Sequence, residues 1–426
     1  MRPFDKMSYS ELRHKYLKRL VDAREVNFDK EDVFGTEQGS EQGKTTEQTL
    51  CLLKKYGDKY KGLKDFLFPD NKKICRENLQ KLLAGPKDAP ASLGGNGSYD
   101  TLRQYFEDMI KTIGTLEEDA ENKVCKKIFR YDALKYEKKG QEESTAYWLQ
   151  RQLGVKVCPY CNRMYTTTLF GEHRIRPDFD HFYPQSKYPY LAVSLFNLIP
   201  SCSMCNRKKS NKAEVFYKKG KINNYSIIYP YDESFDEPHG RLSFRVITDK
   251  KEVMMGQSDK FAIELQPKDH SDKLEFNNTG GMLAKTDVET RFEHKPKSSL
   301  TKEEEDVAKR ESQFWNRAKE SINLLLIEDF YSEHKDEIKA LLRNHYQYNQ
   351  DSIELIMKTL IRARYPEATE QDVKSFARGM LYFAFLNHEE WGNSPLNKLK
   401  SDILEQLDEI ENTHIDSINK RDEDDE

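Results

Sequence analysis

The residues best suited to chemistry lie close together, between Cys158 and Lys212. Two Cys-x-x-Cys pairs, CPYC (Cys158, Cys161) and CSMC (Cys202, Cys205), enclose Asp180-His181 and Asn197; Asn206-Arg207-Lys208-Lys209 follows at once. A Cys-x-x-Cys pair wraps one tetrahedral ion through a tight turn, with zinc–sulfur bonds of about 2.3 Å. Two pairs of equal spacing predict one four-cysteine zinc site, whereas a redox centre needs a single pair in a thioredoxin-like setting. Four thiolates fill the zinc coordination sphere, so this zinc is structural: a catalytic zinc keeps a position open for water. Cys51, Cys75 and Cys125 have no partner at such spacing and read as small apolar core residues.

The residues not spent on zinc suit phosphodiester hydrolysis. That reaction needs a base for water and an electrophile for the charge on phosphate and leaving oxygen, a role one hard divalent cation fills. Mg²⁺ takes oxygen ligands and keeps several waters, so a carboxylate and an amide oxygen suffice; Asp180 and Asn206 fit, with Mg²⁺ or Mn²⁺ as the catalytic ion. His181, with an ordinary imidazole pKa of about 6.5, suits the base, and Asn197 is expected to orient it. An isolated Asp-His pair is more simply a strand-end hydrogen bond; the cysteine pairs and asparagines around this one favour a site. Arg174, Arg176, Lys187, Arg207, Lys208, Lys209 and Lys212 are the expected phosphate contacts. Tyr183, Tyr188 and Tyr190 are expected in the core, and His173 reads as a surface histidine.

The order Cys-x-x-Cys, Asp-His followed by Pro184, Asn197-Leu198, then CxxCNxxK resembles the HNH endonuclease family, with its ββα-metal fold. His181 then stands for the first H, Asn197 for the N and Asn206 for the third position, an H-N-N variant in which Lys209 closes the motif. The stretch DHFYPQS is similar to the corresponding segment of HNH domains in RNA-guided nucleases. The resemblance covers roughly Cys158 to Lys212 and departs at the third position, Asn in place of His, and at Ser210, where some relatives carry a further His. Both departures favour an oxygen-rich Mg²⁺ or Mn²⁺ site over a histidine-rich one. HNH proteins with large helical flanks resemble nuclease components of bacterial anti-phage systems of the Septu and retron-associated types. That resemblance implies a nucleic-acid substrate, DNA first and RNA including tRNA as the alternative, and a separately encoded ATPase partner. No G-x-x-x-x-G-K-[ST] motif occurs in this chain.

These residues need a frame, and the 426-residue chain is long enough for two or three domains. The expected class is α+β: a helical region over 1–150, the zinc-stapled module over 151–220, a β-rich extension over 221–300 and helices over 301–426. Ser8 and Glu11 make a capping box ahead of Leu12, Tyr16 and Leu20, and Leu102 to Ile113 carries one apolar face. RPDFDHFYP and SLFNLIP read as two short strands and SMCNRKK as a helix start; NYSIIYPY, RLSFRVIT and KFAIELQ read as further strands. Leu396, Leu399, Ile403, Leu407 and Ile410 form a helical stripe expected to be intramolecular core, followed by a frayed acidic tail. Net charge is −4, yet residues 151–221 hold 13 Lys and Arg against 4 Asp and Glu, a basic island fit for a phosphate backbone. No apolar run approaches the roughly 20 residues of a membrane span, and the N-terminus lacks the apolar centre of a secretion signal, so a cytoplasmic chain is expected. The competing class is a zinc-ribbon binding or scaffold module without catalysis, which needs the cysteines and the basic island but neither Asp180 nor His181.

Overall fold

The computed structural model describes residues 7–21, 60–70, 74–116, 125, 128–129, 131–137, 142–170, 174–212, 217–218, 221–222, 226–235, 242–267, 302–347, 358–359, 361–370, 372–373 and 394–424. It is a mixed structure of helices and two-stranded antiparallel sheets. The chain divides into two compact units, residues 1–160 with 165–234, and residues 161–164 with 235–426. His173, residues 268–301 and most of 351–388, the last within the region expected to be helical over 301–426, lie outside the described residues. No described helix is long and apolar enough to cross a membrane.

The first unit begins with helices α1 (Tyr9–Val21), α2 (Lys61–Leu67), α3 (Arg76–Ala84), α4 (Leu102–Ile113) and α5 (Thr145–Leu153). Ser8 accepts from the Glu11 backbone N–H at the start of α1, and Leu12 and Tyr16 face inward at the predicted spacing. Helix α4 buries Leu102, Tyr105, Phe106, Met109, Ile110 and Ile113, the face its sequence predicts. Its N-terminus is capped twice. Thr101 accepts from Gln104 N–H, while Asp232 accepts from Leu102 N–H at 2.9 Å and Arg103 N–H at 2.7 Å.

Strand β1 (Asp178–His181) pairs antiparallel with β2 (Leu198–Ser201), so that Asp180 lies opposite Ile199 and His181 opposite Leu198. Helix α6 (Ser203–Lys209) follows β2 directly and packs on β1; the Cys202 thiol caps it by accepting from Cys205 N–H at 3.5 Å. A second, two-residue pairing joins β3 (Tyr217–Lys218) to β4 (Lys221–Ile222).

The connection from β1 to β2 is buried, so its carbonyls need donors. Tyrosines from remote segments supply several. Tyr16 donates to Val193 O at 2.8 Å and Tyr229 to Phe196 O at 2.5 Å, and Tyr231 donates to the carbonyl of Leu198, where β2 begins, at 2.9 Å. Tyr190, on the connection itself, donates to Gly114 O at 2.8 Å. Helix α3 packs on the two 3-10 turns of the connection, Pro189–Leu191 and Leu195–Asn197. Gly85 ends that helix at φ +78° and ψ −171°, where a Cβ would come within 2.8 Å of the Phe196 ring. Residues 226–229, read from sequence as a strand, form none. The Ile227 carbonyl accepts from the Arg103 guanidinium at 2.6 Å, and Ser226 is taken by the same group, so this stretch is held by a side chain instead of a sheet partner.

In the second unit β5 (Leu242–Ile247) and β6 (Ala262–Pro267) pair over their full length, as their sequence alternation predicts, with α7 (Lys251–Met254) between them. Its helices include α8 (Lys302–Leu325), α9 (Ile327–Ser332), α10 (Lys335–Gln347) and α11 (Asn397–Asp424). The hairpin, part of the β-rich segment expected over 221–300, packs on α9 and α11 of its own unit. Leu396, Leu399, Ile403 and Leu407 are buried, an intramolecular use of the predicted stripe, and α11 runs on to Asp424 through most of the expected tail.

The outer edges of this two-stranded sheet meet side chains. Asp402 accepts from Phe244 N–H at 2.8 Å, and Gln406 both accepts from Val246 N–H at 2.9 Å and donates to Val246 O at 3.1 Å. On β6, Glu328 accepts from Leu265 N–H at 2.8 Å. Four residues of helix rise about 6 Å and two residues of strand about 6.8 Å, so an i, i+4 pair on α11 matches alternate edge amides. The edges are thereby closed to another strand at these positions.

Candidate functional site

The thiols of Cys158, Cys161, Cys202 and Cys205 converge, all four buried and with every sulfur within 4.8 Å of the others. A tetrahedron with zinc–sulfur bonds of about 2.3 Å has sulfur–sulfur edges of roughly 3.8 Å, so the cluster is compatible with a zinc site. None of the four is in a disulfide. Cys125 is buried and Cys75 half-buried, away from this cluster; Cys51 lies outside the described residues.

His181 ends β1 half-buried, with Nε2 2.9 Å from the Ala192 carbonyl and the Tyr131 ring edge-on at 4.7 Å. A carbonyl only accepts, so Nε2 carries the hydrogen and a neutral ring keeps its lone pair on Nδ1. Burial pushes the imidazole pKa down, the Ala192 carbonyl and Asp180 oppose that, and Lys209 reinforces it; the balance is downward and favours the neutral ring.

Asn197 is fully buried and its amide is occupied by backbone. Its Oδ1 accepts from Tyr183 N–H at 2.7 Å, while Nδ2 donates to Tyr183 O at 3.2 Å and Leu191 O at 3.0 Å. One of these bonds fixes Leu191, next to the Ala192 carbonyl that His181 meets. Tyr183, Tyr188 and Tyr190 are buried, as expected of core residues.

Asp180 is 3% exposed, and both its oxygens are engaged. Tyr160, inside the first cysteine pair, donates to Oδ2 at 2.6 Å. The Lys209 ammonium lies 3.1 Å from Oδ1 and 3.0 Å from Oδ2, and donates to the His181 carbonyl at 2.6 Å. Lys209 is 0% exposed, which corrects its sequence-based placement among the phosphate contacts: the structure turns it inward under β1. Asn206, half-buried, precedes it by three residues on α6, the spacing that puts two side chains on one helix face.

Among the other basic residues, Arg174, Arg207 and Lys212 are exposed, while Arg176, Lys187 and Lys208 are half-buried. Arg174 is paired with Glu137 and donates to the Glu142 carbonyl. Arg176 donates to Pro177 O at 2.8 Å and lies over the Tyr147 and Phe179 rings.

Four residues around the site escape a reading of motif letters. They are Tyr160, Tyr131, Ala192, which acts through its backbone, and Arg103, which stacks 5.4 Å from the Phe182 ring centroid beside His181 and pairs with Glu233 at 3.7 Å. Only Tyr160 carries a local signal, being held between two cysteines of a tight turn. No family model, no curated protein and no solved structure matches the chain.

Proposed function

We propose that the chain is a metal-dependent endonuclease of the HNH type that hydrolyses phosphodiester bonds in DNA. The observation that carries this reading is the hydrogen bond from His181 Nε2 to the Ala192 carbonyl, which leaves Nδ1 as the proton acceptor on a ring that burial favours in the neutral form. In this reading His181 takes a proton from the attacking water at Nδ1, and Asn197 holds the chain that keeps the ring in place. Asp180 and Asn206 are the residues that would hold Mg²⁺ or Mn²⁺; their oxygen donors suit a hard cation. Such an ion, when bound, offsets the charge on the phosphate and the leaving oxygen. Arg207 and Lys212, with Arg174, Arg176, Lys187 and Lys208, position the nucleic-acid backbone. The four-cysteine cluster holds zinc as a structural staple. On the resemblance of the motif, the chain serves as the nuclease effector of a bacterial anti-phage system with a separately encoded ATPase.

One observation favours a second reading, a zinc-bound nucleic-acid-binding module without catalysis: both oxygens of Asp180 are already used by Tyr160 and Lys209. Plasmid DNA and structured RNA incubated with the purified chain and Mg²⁺ or Mn²⁺, beside an EDTA control, separate the two. The expected result is nicking that EDTA stops and that His181→Ala slows by about 10²-fold or more, the contribution of a positioned base. Cleavage at the wild-type rate by His181→Ala overturns the base assignment. Nucleic-acid binding without cleavage, unaffected by His181→Ala, supports the second reading, and cleavage confined to RNA moves the substrate class.

A further inference from the structure

The Lys209 ammonium sits in a cage of three oxygens: Asp180 Oδ1, Asp180 Oδ2 and the His181 carbonyl, at 3.1, 3.0 and 2.6 Å. A carboxylate with a backbone carbonyl is the donor set that a hard divalent ion takes. The cage is closed to solvent, with Asp180 and Lys209 both buried, and the Phe182 ring lies 5.9 Å from the ammonium on a further side. Tyr160 fixes the carboxylate orientation by its 2.6 Å hydrogen bond to Oδ2. Asn206 lies one helical turn before Lys209, so the amide expected to hold an ion and the ammonium already at Asp180 share a face of α6.

Two cations cannot share that carboxylate without strong repulsion in a buried setting. The lysine stem has four carbons with rotatable bonds, so the displacement asks for a side-chain motion and not a shift of the helix axis. We propose that Lys209 is a tethered counter-cation that fills the Asp180 site in the absence of a divalent ion, and that ion binding expels its ammonium. This inference rests on the endonuclease reading for the identity of the ion, and it deepens that reading. The pocket stays charge-balanced and folded when empty, and the ion enters only by displacing a resident charge.

The test uses the full chain and Mn²⁺ as probe, with free Mn²⁺ counted by electron paramagnetic resonance. Lys209→Met removes the competitor and is expected to bind Mn²⁺ about 10-fold more tightly or better than wild type, as loss of an adjacent like charge predicts. Asp180→Asn is expected to weaken binding in either background. Unchanged or weaker Mn²⁺ binding by a Lys209→Met protein that melts cooperatively overturns the proposal. A second measurement needs no variant: acylation of lysines by succinimidyl acetate, mapped by mass spectrometry on the wild-type chain. Lys209 is expected to resist the reagent alone and to react when Mn²⁺ is bound; persistent protection at saturating Mn²⁺ overturns the proposal. A chain that nicks DNA yet fails both measurements sinks this inference alone, whereas competition with Lys209 in a chain that never cleaves sinks the endonuclease reading alone.

Discussion

Among single residues, Asp232 shows how burial turns a helix cap into a pH-dependent element. Its carboxylate receives Leu102 N–H, Arg103 N–H and the Ser92 hydroxyl, yet burial outweighs those bonds and the neighbouring Glu233 adds to it, so its pKa is pushed up to about 6. An aspartate in the unfolded chain titrates near 3.9, so the folded form binds the proton more tightly. Its contribution to stability is therefore fully present below about pH 4 and is lost as pH rises through about 6, a span of order 3 kcal/mol. Urea denaturation between pH 4 and pH 7 is expected to show a steeper loss of stability with pH in wild type than in Asp232→Asn; equal slopes would refute the assignment. Asp180 and His181 are legible in the sequence as a chemical pair because both belong to one short strand. Lys209 is not: in NRKKSNK it looks like one more solvated base, and only the packing of α6 on β1 turns it inward.

Elements with a strong local period are equally legible. The apolar face of α4, the alternation of β5 and β6, and the start of α6 at Ser203, inside the second cysteine pair, follow from neighbours a few residues apart. The connection between β1 and β2 does not, because its carbonyls are answered by hydroxyls 33 to 177 residues away in sequence, a pairing no local pattern encodes. The false strand at 226–229 has the same origin: Ser226, Ile227, Ile228 and Tyr229 are all buried, but Arg103 takes the place of a strand partner. Gly85 lies where the end of α3 meets this connection. At φ +78° and ψ −171° the backbone suits glycine almost alone, and a Cβ there meets Phe196. Gly85→Ala is expected to cost about 3 kcal/mol or more, against about 1 kcal/mol for Gly94→Ala, whose φ is also positive but whose surroundings are open. Thermal melts of the two variants compare a glycine-only backbone with a collision against the milder αL strain of Gly94; equal losses would mean that neither the Gly85 backbone nor Phe196 adds a cost.

For the whole molecule, zinc held at the cysteine cluster would set the largest single energy. Structural zinc binds with an apparent 10–16 kcal/mol or so, as much as the entire stability of a typical domain, about 5–15 kcal/mol. About one zinc per chain is expected by atomic emission, and Cys202→Ser or exhaustive chelation is expected to abolish the cooperative melt of the region that holds Asp180 and His181. A zinc-free chain with an unchanged melt would exclude the metal. The −4 net charge conceals the basic island that any nucleic-acid contact requires, which is why composition alone is silent on partners. The tyrosine hydroxyls have one more consequence, for how the motif travels. Because Tyr16, Tyr229 and Tyr231 reach in from outside residues 151–220 to complete the backbone that presents the imidazole, the stretch from Cys158 to Lys212 is not a portable cassette. Transplanted into another host protein, it would carry every letter of its signature and leave behind the hydroxyls that give those letters their geometry.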